Sequence, residues 1–116
     1  MVELLRSVMS SFPSNEKKMF GSSAWFVNGN MMTGVFEDYI FVRLSESDRE
    51  LLLAESDEAR HFDPLGDRPM REYIVLPEHY VGNETELEKW LGLSFRFTST
   101  LPVKKKSPRK KAAKKN

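Results

Sequence analysis

Residues 102–116 hold Lys104, Lys105, Lys106, Arg109, Lys110, Lys111, Lys114 and Lys115, eight cations without one acid. The chemistry open to such a run is neutralisation of a polyanion. Eight phosphate contacts on duplex DNA would give a log–log salt slope as steep as about −7. Phosphate contacts carry no base readout, and no aromatic side chain is interleaved to stack on bases. The expected contact is therefore non-specific. The competing reading is a solvated tail that promotes solubility or folds back on the body, since charge runs serve in both ways.

A smaller anion has a candidate site in Gly66-Asp67-Arg68-Pro69-Met70 followed by Arg71. The guanidinium groups of Arg68 and Arg71 offer rigid donor forks for phosphate or carboxylate. The same residues also make a turn, with Gly66 supplying φ > 0 and Pro69 fixing entry into a strand. The turn reading is the stronger, because no run of glycine amides forms a cradle. Lys17-Lys18 would join an anion site only if strands carried them to it; lysines in such places more often protect a sheet edge.

Other chemistry finds little support. His61 and His79 are the only histidines and lack the spacing of a metal motif. Cysteine is absent, which excludes a disulfide framework, a thiol nucleophile and Cys-based zinc. No serine sits in a G-x-S-x-G elbow. The reading is of a non-enzyme with no cofactor.

The elements that must carry these residues follow from spacing. Val2, Leu5, Met9 and Phe12 form a helical stripe that Pro13 ends. Asn28-Gly29 marks a type I′ hairpin between Ser23–Val27 and Asn30–Phe36, and Glu37-Asp38 turns the chain into Tyr39–Leu44. Ser45 caps a helix carrying Leu51, Leu52 and Leu53. Arg60–Phe62 and Met70–Leu76 read as strands, the second stopped by Pro77. Asn83 caps a last helix over 84–98, with Glu86 at its third position and Leu87, Trp90, Leu91, Ser94 and Phe97 on one side. The expected fold is α+β, two layers in the order α-β-β-β-α-β-β-α with an antiparallel sheet.

Two-residue turns pair Phe26 with Met31, Trp25 with Met32, Val35 with Ile40 and Gly34 with Phe41. One sheet face then carries Ala24, Phe26, Met31, Thr33, Val35, Ile40, Val42 and Leu44 as core. The other carries Trp25, Met32 and Phe41, with Tyr39 nearby, an apolar surface that water would not favour. Tryptophan is enriched at interface hot spots and methionine adapts to irregular partners. These three residues are the expected interface of a homodimer or a protein partner.

Eight of the chain's 18 cations lie in the tail, leaving ten against all 17 acids and a net of −7 over residues 1–101. The tail, with two prolines and little that is apolar, is expected to be disordered. A body of this size can bury roughly 60–70% of its unfolded surface and fold alone. No apolar run approaches the ~20 residues of a membrane span, and the N-terminus lacks the form of a signal peptide. A cytoplasmic protein without a membrane partner is expected.

Several separated motifs, in order, resemble the TfoX N-terminal domain family. They are Lys17-Lys18-Met19-Phe20-Gly21, Phe26-Val27-Asn28-Gly29-Asn30-Met31, Phe41-Val42-Arg43, Phe62-Asp63-Pro64, Gly66-Asp67-Arg68-Pro69-Met70, Trp90, and Leu101-Pro102 before the lysines. The resemblance implies a two-layer fold similar to secretion chaperones, which often dimerise. In the TfoX/Sxy competence regulators this domain precedes a helical one, which this sequence does not include, and acts with transcription machinery. The functional expectation is a stand-alone regulatory module at 1–101, associated with nucleic acid through the 102–116 tail or with a transcription-machinery protein. The alternative is a homodimeric interaction adaptor that does not bind nucleic acid.

Overall fold

A computed structural model describes residues 1–104. The N-terminal stripe winds as α1 (Val2–Met9), burying Leu5, Val8 and Met9. Four strands follow: β1 (Asn15–Met19), β2 (Ser22–Val27), β3 (Asn30–Phe36) and β4 (Tyr39–Arg43). Then come α2 (Glu46–Glu55), β5 (Arg60–Phe62), β6 (Met70–Val75), the single-turn α3 (Glu78–Val81) and α4 (Glu84–Ser99). The six strands make one antiparallel sheet in the order β1-β2-β3-β4-β6-β5. The class is α+β as expected, with one strand and one short helix more than the expected order. The tail expected to be disordered lies outside the described residues from residue 105 on.

Local signals hold where they are read from neighbouring residues. Asn28 (φ 53°) and Gly29 (φ 83°) both occupy the left-handed region between the paired Val27 and Asn30. Ser45 Oγ accepts the Asp48 N–H at 3.3 Å, and Asn83 Oδ1 accepts that of Glu86 at 3.2 Å. Each cap satisfies one of the orphan donors of a helix's first turn.

The extra strand, β1, comes from a second turn of the same geometry. Phe20 (φ 57°) and Gly21 (φ 76°) link the paired Met19 and Ser22. Positive φ is natural for the glycine and strained for a bulky phenylalanine. The strand itself, Asn-Glu-Lys-Lys-Met, is exposed at every position. It is held by pairing rather than burial, and so shows no apolar alternation.

The expected register fails at one point, and the failure exchanges the two faces of β2. Phe26 pairs with Met31, but Trp25 pairs with Thr33, not Met32. Met32 is the extra residue of a β-bulge, which puts two residues of β3 against one of β2. Beyond it, Thr33 pairs with Val42, Gly34 with Phe41 and Val35 with Ile40. Ala24, Phe26 and Met31 therefore do not share a face with Val35, Ile40 and Val42; Trp25, Val27 and Met32 do. The carbonyls around the bulge find side-chain donors: Met32 O accepts from Ser94 Oγ at 3.2 Å, and Met31 O from Tyr73 Oη at 2.9 Å.

All the helices cover one face. Leu5 and Met9 of α1, Leu52 of α2, Tyr80 of α3 and Leu87, Trp90 and Leu91 of α4 pack with Trp25, Met32, Ile40, Val42 and Ile74. Each such fully buried large side chain is worth roughly 1.5–3 kcal/mol of transfer free energy.

Among the described residues no helix residue enters the core of the opposite face, which the sheet covers with its own aromatic rings. Phe41 and Phe62 stack at 4.0 Å between centroids, 9° from parallel. Phe20, from the β1–β2 turn, meets Phe62 edge-on at 5.6 Å. On a flat sheet with strands ~4.8 Å apart, β2 and β5 would stand about 19 Å from each other. Phe20 therefore reaches Phe62 by the turn folding over this face, by curl of the sheet, or by both. Gly34 leaves room for the Phe41 ring beneath, since a Cβ there would sit 2.7 Å from it.

Candidate interaction surfaces

The root of the lysine-rich segment is held against the β2–β3 turn. The Lys104 N–H donates to Asn28 O at 2.8 Å. Asn30 Nδ2 donates to Pro102 O at 2.9 Å, across 72 residues of sequence. Gly29 admits this approach, because a Cβ there would run into the Lys104 carbonyl oxygen. The conformation that makes Asn28-Gly29 a hairpin turn also makes it a docking point for the end of the body. Lys105, Lys106, Arg109, Lys110, Lys111, Lys114 and Lys115 lie outside the described residues.

The expected interface of Trp25, Met32 and Phe41 is corrected by the bulge. Trp25, 4% exposed, and Met32, wholly buried, lie under the helices. Phe41, also wholly buried, lies on the other face beneath Phe62. The three neither share a face nor reach the surface. Large apolar side chains do emerge at the β1–β2 turn, Met19 and Phe20, each 38% exposed, and in the β5–β6 link, Leu65. A glycine after a single bulky residue was the available signal for that turn, but phenylalanine is an unusual partner for it.

Arg68 and Arg71 are both exposed. Asp63 Oδ1 accepts the backbone N–H groups of Gly66 at 2.8 Å and Arg68 at 3.3 Å, and Gly66 takes φ 79°. The carboxylate thus ties the loop through its backbone. Among the described residues neither arginine forms an ion pair.

Lys17 and Lys18 stand on the exposed β1, beside a cleft of about 450 Å³ that includes neither Arg68 nor Arg71. His61 is exposed on β5. His79, on α3, approaches Glu58 at 3.4 Å. Among the described residues no three His, Cys, Asp or Glu side chains gather as a metal would require. Among them, too, no helix is long and apolar enough to cross a membrane.

A second cleft, of about 510 Å³, lies between the β3–β4 turn and α3. Arg60 stands over the Tyr39 ring at 5.0 Å, with Asp38, Asp57, Glu58 and Glu78 around it. Four acids against Arg60 and the amino terminus of Met1 make this a poor place for a phosphate and locate part of the body's negative charge.

The ionisable groups with clear shifts are structural. The guanidinium of Arg6, which donates to both Glu16 oxygens, and the Ser23 hydroxyl hold the Glu16 carboxyl down at about 2. Burial pushes Tyr73 up to about 12, and a hydrogen bond to the Glu55 carboxylate, reinforced by burial, does the same for Tyr80.

Comparison with known proteins agrees with this geometry. No curated protein matches the chain. A family model described as the TfoX N-terminal domain matches residues 7–98. The family points to a regulatory or competence-related module and is not one of known enzymes. With the match running from α1 to the last turns of α4, and a six-stranded antiparallel α+β fold to go with it, the chain belongs to the TfoX N-terminal domain family.

Proposed function

We propose that this chain is a non-enzymatic regulatory module that associates with nucleic acid through its lysine-rich segment. The observation that carries the reading is the division of charge, −7 over residues 1–101 against +8 over 102–116, with the root of the basic segment held at one point of the body by Lys104 and Asn30. An acidic body repels the phosphate backbone, so attraction depends on the segment that begins at the β2–β3 turn. The non-enzymatic part of the reading rests on the family.

The test is titration of duplex DNA with the full chain and with a chain ending at Lys104, at several salt concentrations. That end point keeps the contacts of Pro102 and Lys104, so the comparison isolates the remaining cations. Loss of salt-steep binding on truncation supports the reading. Equal binding by both chains sinks it.

The homodimeric adaptor is the second reading, and the exposure of Met19 and Phe20 is what favours it. Sedimentation of Phe20→Ser decides: a dimer that this change dissociates, with no binding to DNA, supports the adaptor.

A further inference from the structure

We propose that the phosphate contact extends beyond the tail onto the outer edge of the sheet, where Lys17 and Lys18 form a second electropositive stretch. This inference rests on the nucleic-acid reading above and deepens it. Lys17-Lys18 is the only pair of adjacent cations in residues 1–101. Both belong to β1, the terminal strand of the sheet, which is exposed throughout.

The neighbouring acid is already neutralised. Glu16 receives Nε and an Nη of Arg6 at 2.9 and 2.7 Å and the Ser23 hydroxyl at 2.8 Å. The cleft they border brings Arg6, Glu16, Lys18 and Ser23 together on the helix-covered side, two cations to one acid within an otherwise acidic body, while the Lys17 side chain lies on the opposite face of the strand. Among the described residues neither lysine forms an ion pair. Lys17 lies over the Phe26 ring with its ammonium 5.3 Å from the centroid, which holds its stem along the sheet.

Register places this stretch in line with the tail. Lys18 pairs with Ser23 on β2, and Asn15 pairs with Phe26 next to the turn where Lys104 docks. Ser23 and Asn28 are five residues apart, about 17 Å along the hairpin at ~3.3 Å per residue. Duplex DNA presents a charge every ~1.7 Å of axis. A backbone running along the open edge of β1 would therefore meet Lys104 at one end and, at the other, Lys17 and Lys18 reaching out from the two faces of the strand.

The experiment compares the full chain with its Lys17→Ala/Lys18→Ala and Lys17→Arg/Lys18→Arg variants in duplex DNA titrations over a range of salt. Thermal melts confirm that each variant is folded. Loss of two phosphate contacts makes the log–log slope shallower by about 1.8, at about 0.9 per contact, and the arginine variant restores it. An unchanged slope in the alanine variant, while the Lys104 truncation still abolishes binding, overturns this inference and leaves the tail reading standing. A shallower slope that arginine does not restore also overturns it, because charge is then not the cause. Absence of binding by the unaltered chain at low salt overturns both.

Discussion

The Lys104 N–H donates to the carbonyl oxygen of Asn28 at 2.8 Å, so the end of the described chain is fastened to a hairpin turn formed 76 positions earlier. A segment that carries most of its cations beyond that point has a defined origin on the body. The fastening depends on Gly29, which is both in the left-handed region and in the path of the Lys104 carbonyl.

Gly29→Ala is expected to lower stability by about 1–2 kcal/mol, the order of cost for placing an L side chain at positive φ, with the clash adding to it. Urea unfolding checks this. In a chain ending at residue 101 the clash is gone, so the same substitution should cost less there. Equal costs in the two backgrounds would show that the docking contributes nothing.

Phe62→Ala is expected to cost about 3–5 kcal/mol, the range for truncating a buried phenylalanine. Its ring is wholly buried, stacked on Phe41 and met by Phe20 and Phe36. Trp25→Ala should destabilise in the same way, because Trp25 lies under the helices. Both are read by chemical denaturation.

Those two residues show where sequence reading stops. The caps at Ser45 and Asn83 and the Asn28-Gly29 turn are legible because their partners lie within a few positions. The bulge at Met32 is not, since Met31 and Met32 are equally apolar and the polar Thr33 keeps the core-side position that an unbroken register also gives it. One inserted residue moves Trp25 from an imagined surface into the core. β1 is polar up to Met19 and becomes a strand only through β2. The tail's charge is plain in the sequence, whereas the contact of Pro102 with Asn30 spans 72 residues and has no local mark.

Tyr73→Phe is expected to cost about 1–2 kcal/mol. It removes the 2.9 Å donor to Met31 O, leaving that carbonyl with Arg43 at 3.4 Å, and an underpaired buried acceptor costs in this range. At high pH the unaltered protein should also weaken. Folded Tyr73 and Tyr80 titrate at about 12, above the ordinary 10. The unfolded chain then binds fewer protons between those values, so the stabilisation present below pH 10 is lost as pH rises toward 12. Denaturation midpoints of Tyr73→Phe and Tyr80→Phe between pH 9 and about 12 should fall less steeply than those of the unaltered chain.

Glu16 gives the opposite limb. Its folded value of about 2 lies below the ordinary 4.5, so its contribution is present above pH 4.5 and lost as pH falls toward 2. The pair is exposed and screened by salt, so the effect is small and largest at low ionic strength. Glu16→Gln should flatten the acid limb of the stability profile, measured by thermal melts between pH about 5 and 2. An acid limb of unchanged slope would remove the Arg6–Glu16 pair from the account.

The measurement that bears most directly on function is the salt-dependent titration of duplex DNA with the full chain and the chain ending at Lys104. The division of charge between body and tail predicts a steep salt slope, approaching about −7 if every tail cation meets a phosphate, that collapses on truncation. Binding that survives truncation with its slope intact would contradict it and place nucleic-acid recognition in the folded body.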